Sequence, residues 1–124
     1  MLRLMYGVID GYSGEFSCAC AGHTPPLFLP RLGTPELWRN VGPLLGPVDA
    51  SFPVQRVQLQ AGDRVLFYTD GLHGTGPEQA DDLMAVAQAR NDLVLPALVE
   101  RLTLDLLERT AEPDDFTLLG VEFL

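Results

Sequence analysis

The chain has 124 residues, of which 47% are hydrophobic, and its 17 acidic against 8 basic side chains give a formal net charge of −9. This composition predicts one globular domain, residues 1–124, with its own core, and excludes a disordered chain. The charge argues against nucleic acid and anionic membrane as partners, although it also serves solubility. No apolar stretch reaches the ~18 residues of a membrane span, and residues 1–6 lack the apolar region of a signal peptide, so we expect a cytoplasmic protein.

The first half of the chain predicts strands joined by turns. The apolar run Leu4–Ile9, a turn cluster at 10–14 and the alternating segment 15–20 predict a β-hairpin. Leu27–Leu29 and segment 35–39 predict a further pair around a turn that contains glycine.

Two cysteines occupy the predicted strand 15–20. Cys18 and Cys20 are two positions apart, so on a strand their side chains point to the same face. A disulfide across that spacing is disfavoured, and the sequence lacks the paired Cys/His spacing of a zinc site. We interpret both as small buried hydrophobic residues.

The second half continues with strands and then changes to a helical pattern. Segment 54–59 alternates but has no purely apolar face, which suits an edge strand, and Arg64–Tyr68 predicts the next strand. Residues 78–90 predict a helix, and the stripe Leu95, Leu98, Leu102 and Leu106 predicts a second. Asn91 or Asp92 is the expected N-cap of that second helix, with Pro96 in its first turn. A final strand at 116–123 completes an α+β pattern dominated by antiparallel sheet.

Two acidic signatures lie next to predicted strands. Tyr68-Thr69-Asp70-Gly71 ends one strand, and Asp114-Asp115-Phe116-Thr117 opens another. If the two strands are antiparallel neighbours, Asp70 and Asp114 lie at the same end of one sheet. Carboxylates are ligands for Mg²⁺ or Mn²⁺, and this placement predicts metal-assisted phosphate chemistry. The alternative is that each is an ordinary turn acid beside Gly71 or Pro113.

Four segments that occur in order resemble those of one family: 21–26, 42–46, 62–71 and 114–117. Taken together they resemble the SpoIIE-like branch of the metal-dependent (PPM, type 2C) serine/threonine protein phosphatases, over nearly the whole chain. The resemblance implies a β-sandwich of two antiparallel sheets with flanking helices, and a site for two Mg²⁺ or Mn²⁺ ions. It also implies a phosphorylated protein substrate, such as an anti-sigma-factor antagonist in bacterial partner-switching signalling.

The resemblance also assigns roles to individual residues. Asp70 and Asp114 match metal ligands, Asp115 matches a supporting residue or occasional ligand, and Gly71 allows the turn that aims Asp70. On the substrate side, the two histidines, His23 and His73, are candidate proton donors, because imidazole titrates near neutral pH. For His23 the alternative is a structural hydrogen bond, and for His73 a solvated loop position. No catalytic side chain is assigned beyond these.

This chain departs from the family pattern in one large respect. Family members carry an earlier segment whose Asp bridges both metals, so residues 1–124 resemble the C-terminal portion of the domain, with a sandwich incomplete at its N-terminal side. The acid that usually follows Gly71 within a few positions is also missing from 72–76.

These departures lead to three expectations. The first is weak binding of one Mg²⁺ or Mn²⁺ ion, with little or no phosphatase activity in this fragment. The second is an alternative function, a non-catalytic interaction module that retains the fold; a truncated frame without independent function is the further rival. The third is a homodimer whose contact is the strand near Met5–Ile9, because an open sheet edge invites pairing.

Overall fold

The computed structural model describes residues 2–39, 41–46, 49–69, 78–110, 112 and 114–124, with side chains of the first helix from Asp81 onward. The elements follow the predicted order of six strands, two helices and a final strand. They are β1 (Leu4–Ile9), β2 (Glu15–Ala21), β3 (Leu27–Leu29), β4 (Glu36–Leu37), β5 (Val54–Gln58), β6 (Arg64–Tyr68), α1 (Glu78–Ala89), α2 (Leu95–Glu108) and β7 (Leu118–Glu122).

The strands form two antiparallel sheets. The first has three strands in the order β1-β2-β5, and the second has four in the order β4-β3-β6-β7. The predicted hairpin β1-β2 and the pairs β3-β4 and β6-β7 are all present. Both β1 and β5 are edge strands within the described residues, as expected for β5. The α+β sandwich class is therefore confirmed.

Two hydrophobic cores lie on opposite faces of the four-stranded sheet. The core between the sheets contains Phe16, Cys18, Cys20, Phe28, Trp38, Leu59 and Val65. The core between the second sheet and the helices contains Leu27, Leu29, Leu37, Leu66, Tyr68, Leu83, Val86, Ala87, Leu98, Leu102 and Leu106. Successive residues of a strand point to opposite faces. The short strands β3 and β6 therefore contribute alternate side chains to both cores.

The interpretation of the cysteines as buried hydrophobic residues is confirmed. Cys18 and Cys20 are 4% and 5% exposed, and both are free thiols. Their sulfur atoms lie 3.9 Å apart. The hydrogen bond between the two thiols, together with burial, raises the pKa of Cys18 above its usual range, so it remains a neutral thiol at physiological pH.

The helices cover the face of the four-stranded sheet that points away from the three-stranded sheet. The predicted stripe is correct: Leu98, Leu102 and Leu106 are fully buried. A Cβ added to Gly120 of β7 would lie 2.9 Å from Leu95 Cδ1, so the absence of a side chain lets α2 lie close to the sheet. No helix in the described part of the chain is long and apolar enough to cross a membrane.

The predicted N-cap of α2 is wrong. The cap position is Val94, which makes no side-chain capping hydrogen bond, and Pro96 lies in the first turn as expected. Asn91 instead uses its side-chain and backbone oxygens as acceptors for Arg64 Nη1, both at 3.4 Å. The fixed backbone of Pro96 suits a helix start, and this places the start later than the polar residues suggest.

A buried carboxylate closes the end of the sandwich at which β6 begins. Asp63 is 5% exposed, and its two oxygens accept the backbone N–H groups of Arg31 and Gln60, each at 2.8 Å.

Asp63→Ala should destabilise the protein by about 1–3 kcal/mol per donor left unsatisfied in the interior. Asp49→Ala removes an exposed carboxylate and is the control, expected within about 0.5 kcal/mol of wild type. Urea unfolding measures both, and equal midpoints would contradict this role.

Candidate functional site

The two strands that border the acidic signatures meet the condition set for them, because they are neighbours in one sheet. Strands β6 and β7 are antiparallel neighbours, with Tyr68 opposite Leu118. One residue further, Thr69 N–H donates to the carbonyl of Thr117 at 3.0 Å. The end of β6 and the segment that leads into β7 therefore lie at the same end of the sheet.

Of the predicted metal ligands, the structure describes Asp114. This residue is exposed and lies three positions before the Thr69–Thr117 pair. Its Oδ1 accepts the backbone N–H of the equally exposed Asp115 at 2.8 Å. Asp70, Gly71 and His73 lie outside the described residues.

The loop 21–26 is attached to the same strand end. The hydroxyl of Thr24 donates to the backbone carbonyl of Tyr68. His23 Nδ1 lies 2.9 Å from the carbonyl oxygen of Thr24, which makes Nδ1 the donor. In the neutral ring Nε2 then carries the lone pair. The structure thus places the half-buried His23 beside the end of β6 with a structural hydrogen bond, the alternative foreseen for it.

A second glycine-containing loop packs against this one. Gly22 N–H donates to the carbonyl of Gly42 at 2.8 Å, and Gly42 N–H donates to the backbone carbonyl of Cys20 at 2.9 Å. Gly22 has φ +61°, and a Cβ there would lie 2.3 Å from Leu44 Cδ2. Only glycine fits this backbone without strain. Among the described residues, parts of all four sequence segments of the resemblance therefore connect into one region.

Tyr68 contributes a buried phenol next to this region. It is 6% exposed, and its hydroxyl has no hydrogen-bond partner among the described residues. Burial raises the pKa of Tyr68 well above its ordinary value. The phenol is therefore neutral at physiological pH and unsuited to act as a base there.

The donor atoms of this region suit a divalent ion in kind. Asp114 and Asp115 offer exposed carboxylate oxygens, which are the ligands that Mg²⁺ and Mn²⁺ prefer. Within the described ranges, no group of three or more His, Cys, Asp or Glu side chains converges on one point. Of the two predicted ligands, the structure therefore describes Asp114. The other, Asp70, follows Thr69 directly in the sequence.

Sequence reasoning did not assign a role to two threonines at this strand end. Thr24 and Thr69 both use their hydroxyl groups to hold backbone atoms there. Their signal was visible, because each lies inside a segment of the resemblance and next to a candidate site residue. Nothing in the local pattern showed which backbone atom each would bind.

Comparison with solved structures defines the class of this fold. The RsbU and RsbW domains of Rv1364c from Mycobacterium tuberculosis match with a TM-score of 0.82 and 31% identity, covering 97% of this chain and 35% of that chain. The manganese-presoaked phosphatase domain of the cell fate determinant SpoIIE from Bacillus subtilis matches with a TM-score of 0.70 and 18% identity, covering 98% and 56%. The chain has the fold of the PPM phosphatases.

The sequence itself matches the family described as Stage II sporulation protein E (SpoIIE) over residues 1–124, and the chain belongs to this family. Protein IcfG from Synechocystis sp. is 31% identical over 70 residues, which are 56% of this chain and 11% of that protein. The chain thus spans less than two thirds of the length of each of these relatives.

Proposed function

We propose that this chain supplies part of a metal-dependent phosphoserine/phosphothreonine protein phosphatase of bacterial signalling, acting in the cytoplasm. The observation that carries the proposal is the pairing of Thr69 with Thr117, because it joins the strand that precedes Asp70 to the segment that follows Asp114. Membership of the SpoIIE family supports it. The substrate would be a phosphorylated protein such as an anti-sigma-factor antagonist.

Asp70 and Asp114 are the residues that would hold the ion. A bound Mg²⁺ or Mn²⁺ polarises a phosphoryl oxygen and neutralises charge that develops during transfer. The Asp115 N–H fixes one oxygen of Asp114 and so orients its carboxylate. We propose His23 as the proton donor to the leaving group; because Nε2 of the neutral ring carries a lone pair, that nitrogen must first be protonated before it can donate.

The acidic charge of the chain makes the cation necessary for substrate binding. With a formal net charge of −9, the protein repels a phosphorylated partner unless bound cations reverse the local field. The resemblance assigns no residue of 1–124 to the family's Asp that bridges the two metal ions. We therefore propose that residues 1–124 bind one ion weakly and hydrolyse phosphoesters at a rate close to background.

Titration with Mn²⁺ tests the proposed function. We expect one weak binding event, because two carboxylates leave most of the ion's coordination shell to water. The event should disappear in both Asp70→Asn and Asp114→Asn, since each variant removes one of the two carboxylates. Asp49→Asn, at an exposed position outside all four segments, is the matched control and should keep the event. No binding by the wild type would reject the proposal. Tight binding of two ions, or robust hydrolysis of p-nitrophenyl phosphate in excess Mn²⁺, would contradict the proposal that residues 1–124 lack the bridging metal ligand.

A second candidate function is a non-catalytic interaction module that retains the fold. The observation in its favour is the outward face of the three-stranded sheet, which we call the outer face. Its apolar side chains are exposed, at 45%, 68%, 48% and 50% of their full area for Leu4, Tyr6, Val8 and Val54 respectively. An apolar surface of this kind favours a protein contact.

We propose that a second copy of the chain makes that contact through β1. Asp10 N–H donates to the carbonyl of Glu15 at 2.9 Å. Because the hydrogen bonds of antiparallel pairs alternate, Met5, Gly7 and Ile9 direct their backbone groups away from β2, toward the open edge. An edge strand with free donors and acceptors beside an apolar face is a natural site of pairing.

A further inference from the structure

The last hydrogen-bonded pair between β6 and β7 is unusual in its chemistry. In a regular antiparallel pair, each of two opposite residues donates its N–H to the backbone carbonyl of the other. Here Thr69 N–H donates to the carbonyl of Thr117, but Thr117 N–H donates to the side-chain oxygen Oγ1 of Thr69, at 2.8 Å. A side-chain hydroxyl has replaced the backbone carbonyl of Thr69.

This replacement lets the backbone leave the sheet without an unsatisfied donor. If Thr69 kept a regular ladder, its carbonyl would face Thr117 and the strand would continue. Because the hydroxyl accepts that N–H instead, the Thr117 donor is satisfied without the backbone carbonyl of Thr69. Thr69 is the residue directly before Asp70 in the sequence.

The opposite side of the same strand end is held as well. The Thr24 hydroxyl donates to the carbonyl of Tyr68, which is the residue before Thr69. The end of β6 is therefore held by one threonine hydroxyl from the loop that follows β2, and by another across to the segment that precedes β7.

We infer that Thr69 is a positioning residue for Asp114, one of the two proposed metal ligands. Its hydroxyl accepts the Thr117 N–H and so ties the segment that carries Asp114 to the end of β6. This inference rests on the proposed function, since it concerns the same ion.

Thr69→Val and Thr69→Ser separate this role from general packing. Valine has the shape of threonine without the acceptor, whereas serine keeps the hydroxyl. With Mn²⁺ as the probe and the full chain as the protein, Thr69→Val should weaken binding by about tenfold, as expected when a group that orients metal ligands is removed. Thr69→Ser should restore affinity close to wild type.

Thr103→Val is the matched control. Thr103 donates its hydroxyl to the carbonyl of Val99 within α2, at 2.8 Å, so the substitution removes one hydroxyl hydrogen bond of similar length elsewhere in the fold. We expect its thermal midpoint to fall about as far as that of Thr69→Val, while its Mn²⁺ affinity stays unchanged. Similar affinity losses in both variants would show that only stability had been measured, and would overturn the inference.

The remaining outcomes also decide the matter. If the wild type binds Mn²⁺ and Thr69→Val binds it equally well, the positioning role is wrong and the proposed function stands. If the wild type binds none, the proposed function is wrong and the inference falls with it. If Thr69→Val does not fold, Thr69→Cys replaces it, because a thiol is a weaker acceptor of similar size; wild-type affinity in that variant overturns the inference.

Discussion

The purified chain is expected to be a dimer at micromolar concentration, and Tyr6→Glu is expected to convert it to a monomer. Tyr6 is 68% exposed and lies midway along the edge strand β1, on the outer face. Every ~400 Å² of apolar surface covered by a contact contributes about 10 kcal/mol before association costs of about 4–15 kcal/mol. When β1 pairs with β1 of a second copy, Tyr6→Glu places a charge among the apolar side chains of the two paired strands, and the like charges of the two copies repel each other there.

The distribution of charge supports this surface as an interface. Of the outward-facing positions on β1, β2 and β5, Glu15 is the only acid, and it lies 3.8 Å from Arg56 Nε. The face is thus neutral in a chain of net charge −9. Repulsion between two copies is therefore weak where their β1 strands lie side by side with this face exposed.

Tyr12→Glu is the matched control for this experiment. Tyr12 lies in the β1–β2 turn and is fully exposed, at 105%. It receives the same charge change away from the outer face and should leave the dimer intact. Light scattering measures the mass of each variant. A stable, well-folded monomer of the wild type would refute the proposed contact.

The second large effect is expected in the helix–sheet core. Leu102 of α2 is 0% exposed, and Leu102→Ala should destabilise the protein by about 2–5 kcal/mol, because it removes buried methyl groups and leaves a cavity. Leu104, two residues along the same helix, is 45% exposed. Leu104→Ala deletes the same atoms from a side chain about half in water, so its effect should be much smaller.

Chemical denaturation with urea gives both free energies of unfolding. Most single domains of this size unfold in one transition, which allows the midpoints to be compared directly. Equal losses in the two variants would mean that the buried face of α2 is not the one that the structure shows.

Local patterns were sufficient to predict the elements and the pairing of strands that follow one another, but not the pairing of strands distant in sequence. The helical stripe at Leu98 and Leu102 and the alternation in β2 record burial directly, so both were predicted correctly. The pairing of Glu15 with Gln58 and of Leu27 with Leu66 joins distant segments. An alternating pattern fixes which face of a strand is buried but not which strand lies beside it.

The candidate site shows the same division. The two acidic signatures made the pairing of β6 with β7 a condition of the metal site, because each borders an apolar run, and the structure meets that condition. The anchor from Thr24 to Tyr68 spans 44 positions, and no local signal predicts a contact of that range. The missed cap of α2 has a similar cause, since Asn91 interacts with the distant Arg64 rather than with its own helix.

The alternation of β6 between the two cores has a mechanical consequence. Val65 packs between the sheets, while Leu66 packs under the helices. Neither layer can loosen without displacing the backbone that carries the other, so the two layers should melt as a single unit. Thr69 follows β6 directly, so a loosening of either core should also displace the Thr69–Thr117 hydrogen-bonded pair.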